Sequence, residues 1–331
     1  MSMLSVVLIN ITLGLFGAWF MAHYAYRFGL VDLPNARSSH VTPTPRGGGI
    51  GILFGVVATG LITATPVLFW LPAAGLSIVS FFDDKLDLTP RLRLLIQFSA
   101  AVAVLLAVDW QIGWLPRMPL LLFFAVYMVG TANFYNFMDG INGIAGGTGL
   151  VTFSLLAVFA AQAGLPDWQL LLPAGIAAAC LGFLPLNVPH ARVFMGDVGS
   201  VLLGFAYAAL VCLMSPDLAG FICLISFLFL FYADALTTLF IRWRAGEKLS
   251  TAHRRHLYQV LCNERGLPHW KVACGYGLAQ LLIGGLMLLA YQGGLVWQLL
   301  CFAGWGVLFV VVTLAVRKRS MHWPPPPSGI D

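Results

Sequence analysis

Charged side chains are scarce in this sequence. Only 9% of its 331 residues are Asp, Glu, Lys or Arg, whereas an average soluble domain has about 25%. Hydrophobic residues make up 60%. The few charges lie in short stretches, and the apolar runs between them are roughly 16–25 residues long, which suits a bilayer core about 30 Å thick. This scarcity of charge excludes a soluble enzyme, a nucleic-acid-binding domain, a disordered chain and a collagen-like fibre.

Paired cysteines and internal repeats are also missing. The six cysteines are scattered without a Cys-x-x-Cys pair, which argues against a disulfide framework and a zinc site. No period of about 20–50 residues recurs, so solenoids and propellers are excluded. The first apolar run has no positive residue before it and no clear cleavage site, so we expect a retained membrane helix and not a signal peptide.

Eleven apolar segments are present, and they predict an all-α, polytopic integral membrane protein. They fall at about 4–27, 48–64, 67–82, 92–108, 117–132, 141–162, 168–186, 199–215, 218–241, 271–291 and 295–316. We expect residues 1–318 to form a single transmembrane domain and the proline-rich segment 319–331 to be a disordered tail.

Basic residues divide sharply between the two sides of these segments. Seventeen of the 18 Lys and Arg residues fall in or beside the odd-to-even connections and the C-terminal end, and Arg117 alone lies on the opposite side. Cytoplasmic connections carry an excess of Lys and Arg. The pattern therefore predicts an outside N-terminus, a cytoplasmic C-terminus and five long connections in the cytoplasm.

The first two of these connections carry groups that suit phosphate and metal. Residues 29–49 contain Asp32, Arg46 and three successive glycines, and Arg with main-chain N–H groups can bind phosphate. An ordinary loop with glycines for helix packing stays an alternative. If the preceding helix continues, Asp87 shares a face with Asp83, four residues earlier, and with Asp84, three residues earlier. Such carboxylates can bind Mg²⁺, although a solvated acidic cap is also possible.

The third connection repeats polar residues in steps of three. Asn133, Asn136, Asp139 and Asn142 align well on a tight 3₁₀-like turn, and Asn amides suit both a metal and a nucleobase edge. The alternative is a loop that simply closes two helices, which explains the neighbouring glycines but not the four polar side chains in register.

The fourth and fifth connections add an isolated carboxylate and a basic cluster. Asp197 lies between Gly196 and Gly199 just before an apolar run, where it could hold a metal, act as a base or simply cap a helix. Residues 253–256 read His-Arg-Arg-His and offer positive charge to a diphosphate. A cytoplasmic flank or an amphipathic surface helix is the alternative. Together the five clusters fit a magnesium-assisted transfer of a phosphorylated group.

In this order, the motifs resemble those of the polyprenyl-phosphate N-acetylhexosamine-1-phosphate transferases. The resemblance covers roughly residues 29–260 and is strongest to the branch that initiates O-antigen synthesis. The segments that carry it are Pro43-Thr44-Pro45-Arg46-Gly47-Gly48, Asp83-Asp84, Asn133-x-x-Asn136-x-x-Asp139-Gly140-Ile141-Asn142-Gly143, Gly196-Asp197-x-Gly199-Ser200, His253-x-x-His256 and Arg37-Ser38-Ser39-His40.

The resemblance implies a reaction and a set of roles. An amino-sugar-1-phosphate would pass from a UDP-sugar to undecaprenyl phosphate with release of UMP, on the cytoplasmic face of a bacterial inner membrane. The expected cofactor is Mg²⁺, with Mn²⁺ as a substitute, and the expected partners are the two substrates, membrane lipids and a second copy of the chain, without nucleic acid. The implied catalytic residues are Asp83, Asp84 and Asp197, the metal ligands Asn136 and Asp197, and the substrate contacts Asp32, Arg46, Asn133, Asp139, Asn142, His253, Arg255 and His256.

Two departures from the family pattern affect these roles. Asn142 stands where many relatives carry a second Asp, which favours a contact to the base over metal binding. The His-Arg-Arg-His order differs from the His-x-His-His of the common-antigen enzymes, so the sugar preference is left open among GlcNAc, FucNAc and QuiNAc.

A multispan transporter is the main alternative, with Asp234 inside the ninth segment as its ion-site residue. It does not explain why the polar clusters lie in connections on one side. An intramembrane aspartyl protease would need Gly where Phe194 stands, and a CDP-alcohol phosphatidyltransferase would need Arg where Gly146 follows Ala145.

Overall fold

A computed structural model describes residues 2–34, 39, 42–86, 88–108, 114–249, 251 and 253–320, and it confirms the all-α class. Thirteen α-helices are present in these ranges. They are α1 (Met3–Phe28), α2 (Ile50–Ile62), α3 (Val67–Leu86), α4 (Pro90–Leu106), α5 (Trp114–Phe137), α6 (Ile144–Gln162), α7 (Asp167–Phe183), α8 (Asp197–Met214), α9 (Leu218–Ile225), α10 (Phe229–Arg244), α11 (Leu257–Asn263), α12 (His269–Gln292) and α13 (Leu295–Ser320).

Each of the eleven predicted apolar segments coincides with a helix, and the ninth is formed by α9 and α10 together. Within the described ranges, eight helical segments are long and apolar enough to cross a membrane, while Ile50–Ile62 and the apolar part of α3 are shorter. Eleven spans and their orientation therefore stay predictions. Helix α13 ends at Ser320, so the first two residues of the predicted tail are helical and its remainder lies outside the described residues.

The helices pack around α8. Of the apolar stretch of α8, 89% is buried, against 11% for α13 at the edge of the bundle. Helix α1 lies against α2 and α7, and a Cβ atom at Gly14 would come within 2.1 Å of the Ala179 carbonyl oxygen. Small residues allow membrane helices to approach this closely, which gains van der Waals contact where lipid provides no hydrophobic driving force.

A short antiparallel ribbon interrupts the helical pattern. Strand β1 (Val31–Asp32) pairs with β2 (Thr44–Pro45), and Asp32 lies opposite Thr44. The ribbon closes the first long connection back onto the end of α1 and brings Asp32 and Arg46 to the same end of the bundle.

The ninth segment contains a helix break inside the membrane region. A 3₁₀ turn at Ser226–Leu228 separates α9 from α10. The side chain of Gln280 from α12 bridges the break, because its Oε1 accepts from the Leu230 N–H at 3.0 Å and its Nε2 donates to the Ser226 carbonyl at 2.8 Å. Backbone groups released by a break in lipid need such partners.

Loss of this bridge is expected to destabilise the bundle. Gln280→Leu should lower the free energy of unfolding by about 1–3 kcal/mol, because two buried backbone groups lose their partner. Gln298→Leu is the matched control, since the Gln298 amide is buried and has no hydrogen-bond partner within the described part of the chain. Thermal unfolding in detergent should show a lower midpoint for Gln280→Leu alone. Equal midpoints for the two variants would contradict this role of Gln280.

Candidate active site

A polar cavity of about 220 Å³ opens at one end of the bundle. Its walls come from connections that are far apart in the sequence, and all of them lie on the side predicted to be cytoplasmic. The polar lining residues are Asp32, Ser39, Arg46, Asn136, Asp139, Asn142, Asn187, Asp197, Gln259 and His269.

A second, smaller cavity of about 40 Å³ lies beside the first, between α3, α4, α5 and α8. Asn136 and Asp197 line both cavities and so form their common wall. Asp83 and Arg93 belong to the smaller cavity, as does Asn133, whose amide donates to Gln97 Oε1 at 2.7 Å and to the Val129 carbonyl at 2.7 Å. The remaining polar lining residues are Ser80 and Gln97.

Asp197 is the first residue of α8, and the residue at the N-cap position is Gly196. The interpretation of Asp197 as the helix cap is therefore wrong. Gly196 has φ +73°, a backbone conformation that costs glycine little. The Asn136 amide hydrogen-bonds the Asp197 carboxylate, and Arg46, Arg93 and Asp83 all lie within electrostatic range of it.

Backbone pairing joins the first connection to the fourth. The Phe194 N–H donates to the Pro45 carbonyl at 2.8 Å, and the Gly48 and Gly49 N–H groups donate to the carbonyls of Phe194 and Met195, each at 2.9 Å. A Cβ atom at Gly49 would lie 2.4 Å from the Gly199 Cα. The glycines therefore serve close packing here, and the pairing holds Arg46 near Asp197.

The structure describes only part of the acidic cluster Asp83, Asp84 and Asp87. Asp83 is buried, its Oδ2 lies 2.6 Å from Arg93 Nε, and its Oδ1 accepts from the Leu88 N–H at 2.7 Å. Asp84 lies in α3, but its side chain is outside the described structure, and so is the whole of Asp87. Asp83 therefore lines the smaller cavity, and its carboxylate is already paired with the Arg93 guanidinium.

The third connection does not form the predicted 3₁₀ turn. Asn133 and Asn136 lie on the last turns of the α-helix α5, where residues three apart share a face. Asp139 follows the end of the helix and lines the larger cavity. Asn142 lies in the next turn, where its amide donates to the Pro189 carbonyl at 3.2 Å. Asn136, Asp139 and Asn142 line the larger cavity, whereas Asn133 lines only the smaller one, and a helix end followed by a turn brings them to this end of the bundle.

The three predicted substrate contacts of the fifth connection, His253, Arg255 and His256, do not line either cavity in this structure. His256 is buried with its Nδ1 3.4 Å from Asp234 Oδ1, and Arg255 forms an ion pair with Glu247. Burial, followed by electrostatic interaction with His256 and Arg242, lowers the pKa of His253 to about 4. His253 is therefore neutral at pH 7, and the roles of these residues as substrate contacts stay predictions.

Four polar lining residues of the larger cavity were not assigned a role from the sequence: Ser39, Asn187, Gln259 and His269. Asn187 donates to the Val193 carbonyl at 2.9 Å, and its Oδ1 accepts from the Gly143 N–H at 2.6 Å. His269, at the start of α12, accepts from the Asn142 N–H at 3.4 Å. Asn187 and Gln259 lie in the fourth and fifth connections, which the sequence had already indicated, whereas His269 stands between Pro268 and an apolar run and gave no signal.

The two residues of the common wall, Asn136 and Asp197, offer the oxygen ligands that a hard cation prefers. Mg²⁺ prefers oxygen ligands and usually takes one or two carboxylates together with substrate phosphates and water. The Asp197 carboxylate and the Asn136 amide oxygen suit that role. Among the described residues, no group of three or more His, Cys, Asp or Glu side chains is close enough to hold a metal, so protein ligands there would need oxygens from the substrates to complete the site.

Comparison with known proteins identifies the family. A family model described as glycosyl transferase family 4 matches residues 66–215. A decaprenyl-phosphate N-acetylglucosaminephosphotransferase of Mycobacterium tuberculosis is 32% identical over 288 residues, covering 72% of this chain and 70% of the relative. A probable undecaprenyl-phosphate N-acetylglucosaminyl 1-phosphate transferase of Bacillus subtilis is 33% identical over 204 residues, covering 56% of each chain.

An undecaprenyl-phosphate alpha-N-acetylglucosaminyl 1-phosphate transferase of Yersinia pestis is 28% identical over 259 residues, covering 72% of this chain and 70% of the relative. These findings confirm the resemblance to the polyprenyl-phosphate N-acetylhexosamine-1-phosphate transferases, and the O-antigen branch stays a prediction. The chain belongs to glycosyl transferase family 4, and its relatives there are polyprenyl-phosphate sugar-1-phosphate transferases.

Proposed function

We propose that this protein transfers an N-acetylated amino-sugar-1-phosphate from a UDP-sugar to undecaprenyl phosphate and releases UMP, to initiate O-antigen or a related cell-surface glycan. The reaction would take place at the cytoplasmic face of a bacterial inner membrane. The sidedness of the basic residues supports that orientation, because the lining of the larger cavity comes from the connections on the basic side.

The common wall of the two cavities is the observation that carries this proposal. A transfer between two phosphates needs two binding regions that meet at one reacting atom. Asn136 and Asp197 line both cavities, with Asp32, Arg46 and Asp139 on the larger side. The larger side has the amide and carboxylate groups that a nucleotide-sugar could hydrogen-bond, and the Arg93 side suits the phosphate of the lipid.

The chemistry that we propose is a direct displacement. An oxygen of the lipid phosphate attacks the β-phosphorus of the UDP-sugar, and the bond from that phosphorus to the bridging oxygen breaks as UMP leaves with the electron pair. Arg46 and Arg93 would orient the two phosphates, and Asp83 would order the acceptor or take its proton. A Mg²⁺ ion held by Asp197 and Asn136 would supply neutralisation of the diphosphate charge. A two-step route through an aspartyl intermediate is the competing mechanism.

Loss of the acidic groups should abolish transfer. Asp197→Asn and Asp83→Asn should each lower UMP release at least about 100-fold, as expected when a charge-positioning group is removed from the reacting centre. Asp167→Asn, an exposed carboxylate at the start of α7, is the matched control and should keep wild-type activity. Full activity in either site variant, with its thermal midpoint unchanged, removes that residue from the mechanism.

Removal of divalent cations with EDTA tests whether the reaction needs a metal. EDTA should stop UMP release by purified protein, and Mg²⁺ or Mn²⁺ should restore it, because the two wall residues offer oxygen ligands that both cations accept. Asp197→Asn should need more Mg²⁺ for half-maximal activity wherever residual activity is measurable. Turnover that is unchanged in excess EDTA excludes a dissociable cation from the reaction.

A donor panel tests the substrates and the transporter alternative together. The reconstituted protein is given undecaprenyl phosphate, Mg²⁺ and radiolabelled UDP-GlcNAc, UDP-FucNAc or UDP-QuiNAc. We expect label in chloroform-extractable lipid together with an equal amount of UMP for at least one donor. Label that accumulates inside vesicles without lipid product would instead support transport.

A further inference from the structure

We propose that Asp234 and Tyr258 are positioning residues for the larger cavity, where the UDP-sugar would bind, and that they act through the first turn of α11. This inference rests on the proposed function. Neither residue lines a cavity that we assign to a substrate. The proposed transfer reaction assigns no role to Asp234, the carboxylate inside the ninth segment.

Asp234 is almost completely buried and yet has a full set of donors around it. Its Oδ1 accepts from the Leu257 N–H at 2.8 Å and from Thr238 Oγ1 at 3.2 Å. Its Oδ2 accepts from the Tyr276 hydroxyl at 2.8 Å and from the Tyr258 N–H at 3.3 Å. A carboxylate at membrane depth is costly unless it is paired in this way.

Two of these donors are the first N–H groups of α11, which a helix leaves without intrahelical partners. Helix α11 has only seven residues, and an isolated helix that short is not stable in water because nucleation is unfavourable. Asp234 therefore supplies from α10 the cap that α11 needs, and Tyr276 ties the same carboxylate to α12. This one side chain therefore links the first turn of α11 to both α10 and α12.

Tyr258 connects α11 to the end of α5, next to residues that line the larger cavity. Its hydroxyl donates to the carbonyl of Phe137, the last residue of α5, at 3.0 Å. A Cβ atom at Gly140 would lie 2.2 Å from that hydroxyl oxygen, so the backbone after α5 passes directly over the phenol. Asn136 and Asp139 flank this contact in the chain, and both line the larger cavity.

Gln259 is the residue that this arrangement presents to the cavity. It follows Tyr258 in α11 and lines the larger cavity, while its Oε1 accepts from the His256 N–H at 3.3 Å. A shift of α11 would move Gln259 and the backbone around Asp139. It would leave Asp83 and Arg93 in place, because those residues are held by α3 and α4. The expected defect is therefore specific to the donor.

The test compares two hydroxyl deletions in the active, full-length protein. Tyr258→Phe should raise the KM for the UDP-sugar at least about five-fold, which corresponds to loss of one hydrogen bond, and should leave the KM for undecaprenyl phosphate within about two-fold of wild type. Tyr207→Phe is the matched control, because its buried hydroxyl also donates to a backbone carbonyl, that of Leu224, at a site away from α11. It should leave both KM values unchanged.

Asp234→Asn gives a second measurement that does not depend on turnover. It should speed amide hydrogen exchange in residues 257–263 while exchange in α6 stays at the wild-type rate. If Asp234→Asn does not fold, Tyr258→Phe decides the question. A wild-type donor KM in Tyr258→Phe, or equal rises in the KM of both substrates, overturns this inference. A wild-type protein that is inactive with every donor overturns the proposed function itself.

Discussion

A membrane bundle offers no water to the polar groups that it buries, and the functional parts of this structure follow from that constraint. Asp83 lies against Arg93, Asn136 against Asp197, and Asp234 against the first turn of α11. Each pair joins segments that are separate in the chain. The need to satisfy buried charge therefore also fixes how the helices stand relative to one another at the cavity.

The same constraint explains the irregular backbone near the site. The break between α9 and α10 releases backbone groups, and Gln280 binds them from α12. The segment that ends in Gly49 reaches the start of α8 through backbone hydrogen bonds, and the close approach to Gly199 leaves no room for a side chain there. These backbone contacts hold the segment that contains Arg46 near Asp197.

Sequence reasoning identified the helices and most of the cavity wall. Long apolar runs have one stable form in lipid, so the eleven segments were recognisable from composition alone. Asp32, Arg46 and Asp139 were recognisable as candidate site residues because they belong to polar clusters directly beside long apolar runs. Ser39, Asn187, Gln259 and His269 were given no role, because single polar residues in a connection have many ordinary explanations.

Composition, charge sidedness and motif order by themselves determined the membrane class, the helical architecture and the family, because each follows from local chemistry along the chain. The tertiary structure decided which polar residues share a cavity. It turned His256 towards Asp234 and brought Gln259 to the larger cavity, although the two residues are only three positions apart. The direction that a side chain faces depends on how its helix is rotated and anchored, and here that anchor comes from α10, α12 and the end of α5, which the local sequence does not reveal.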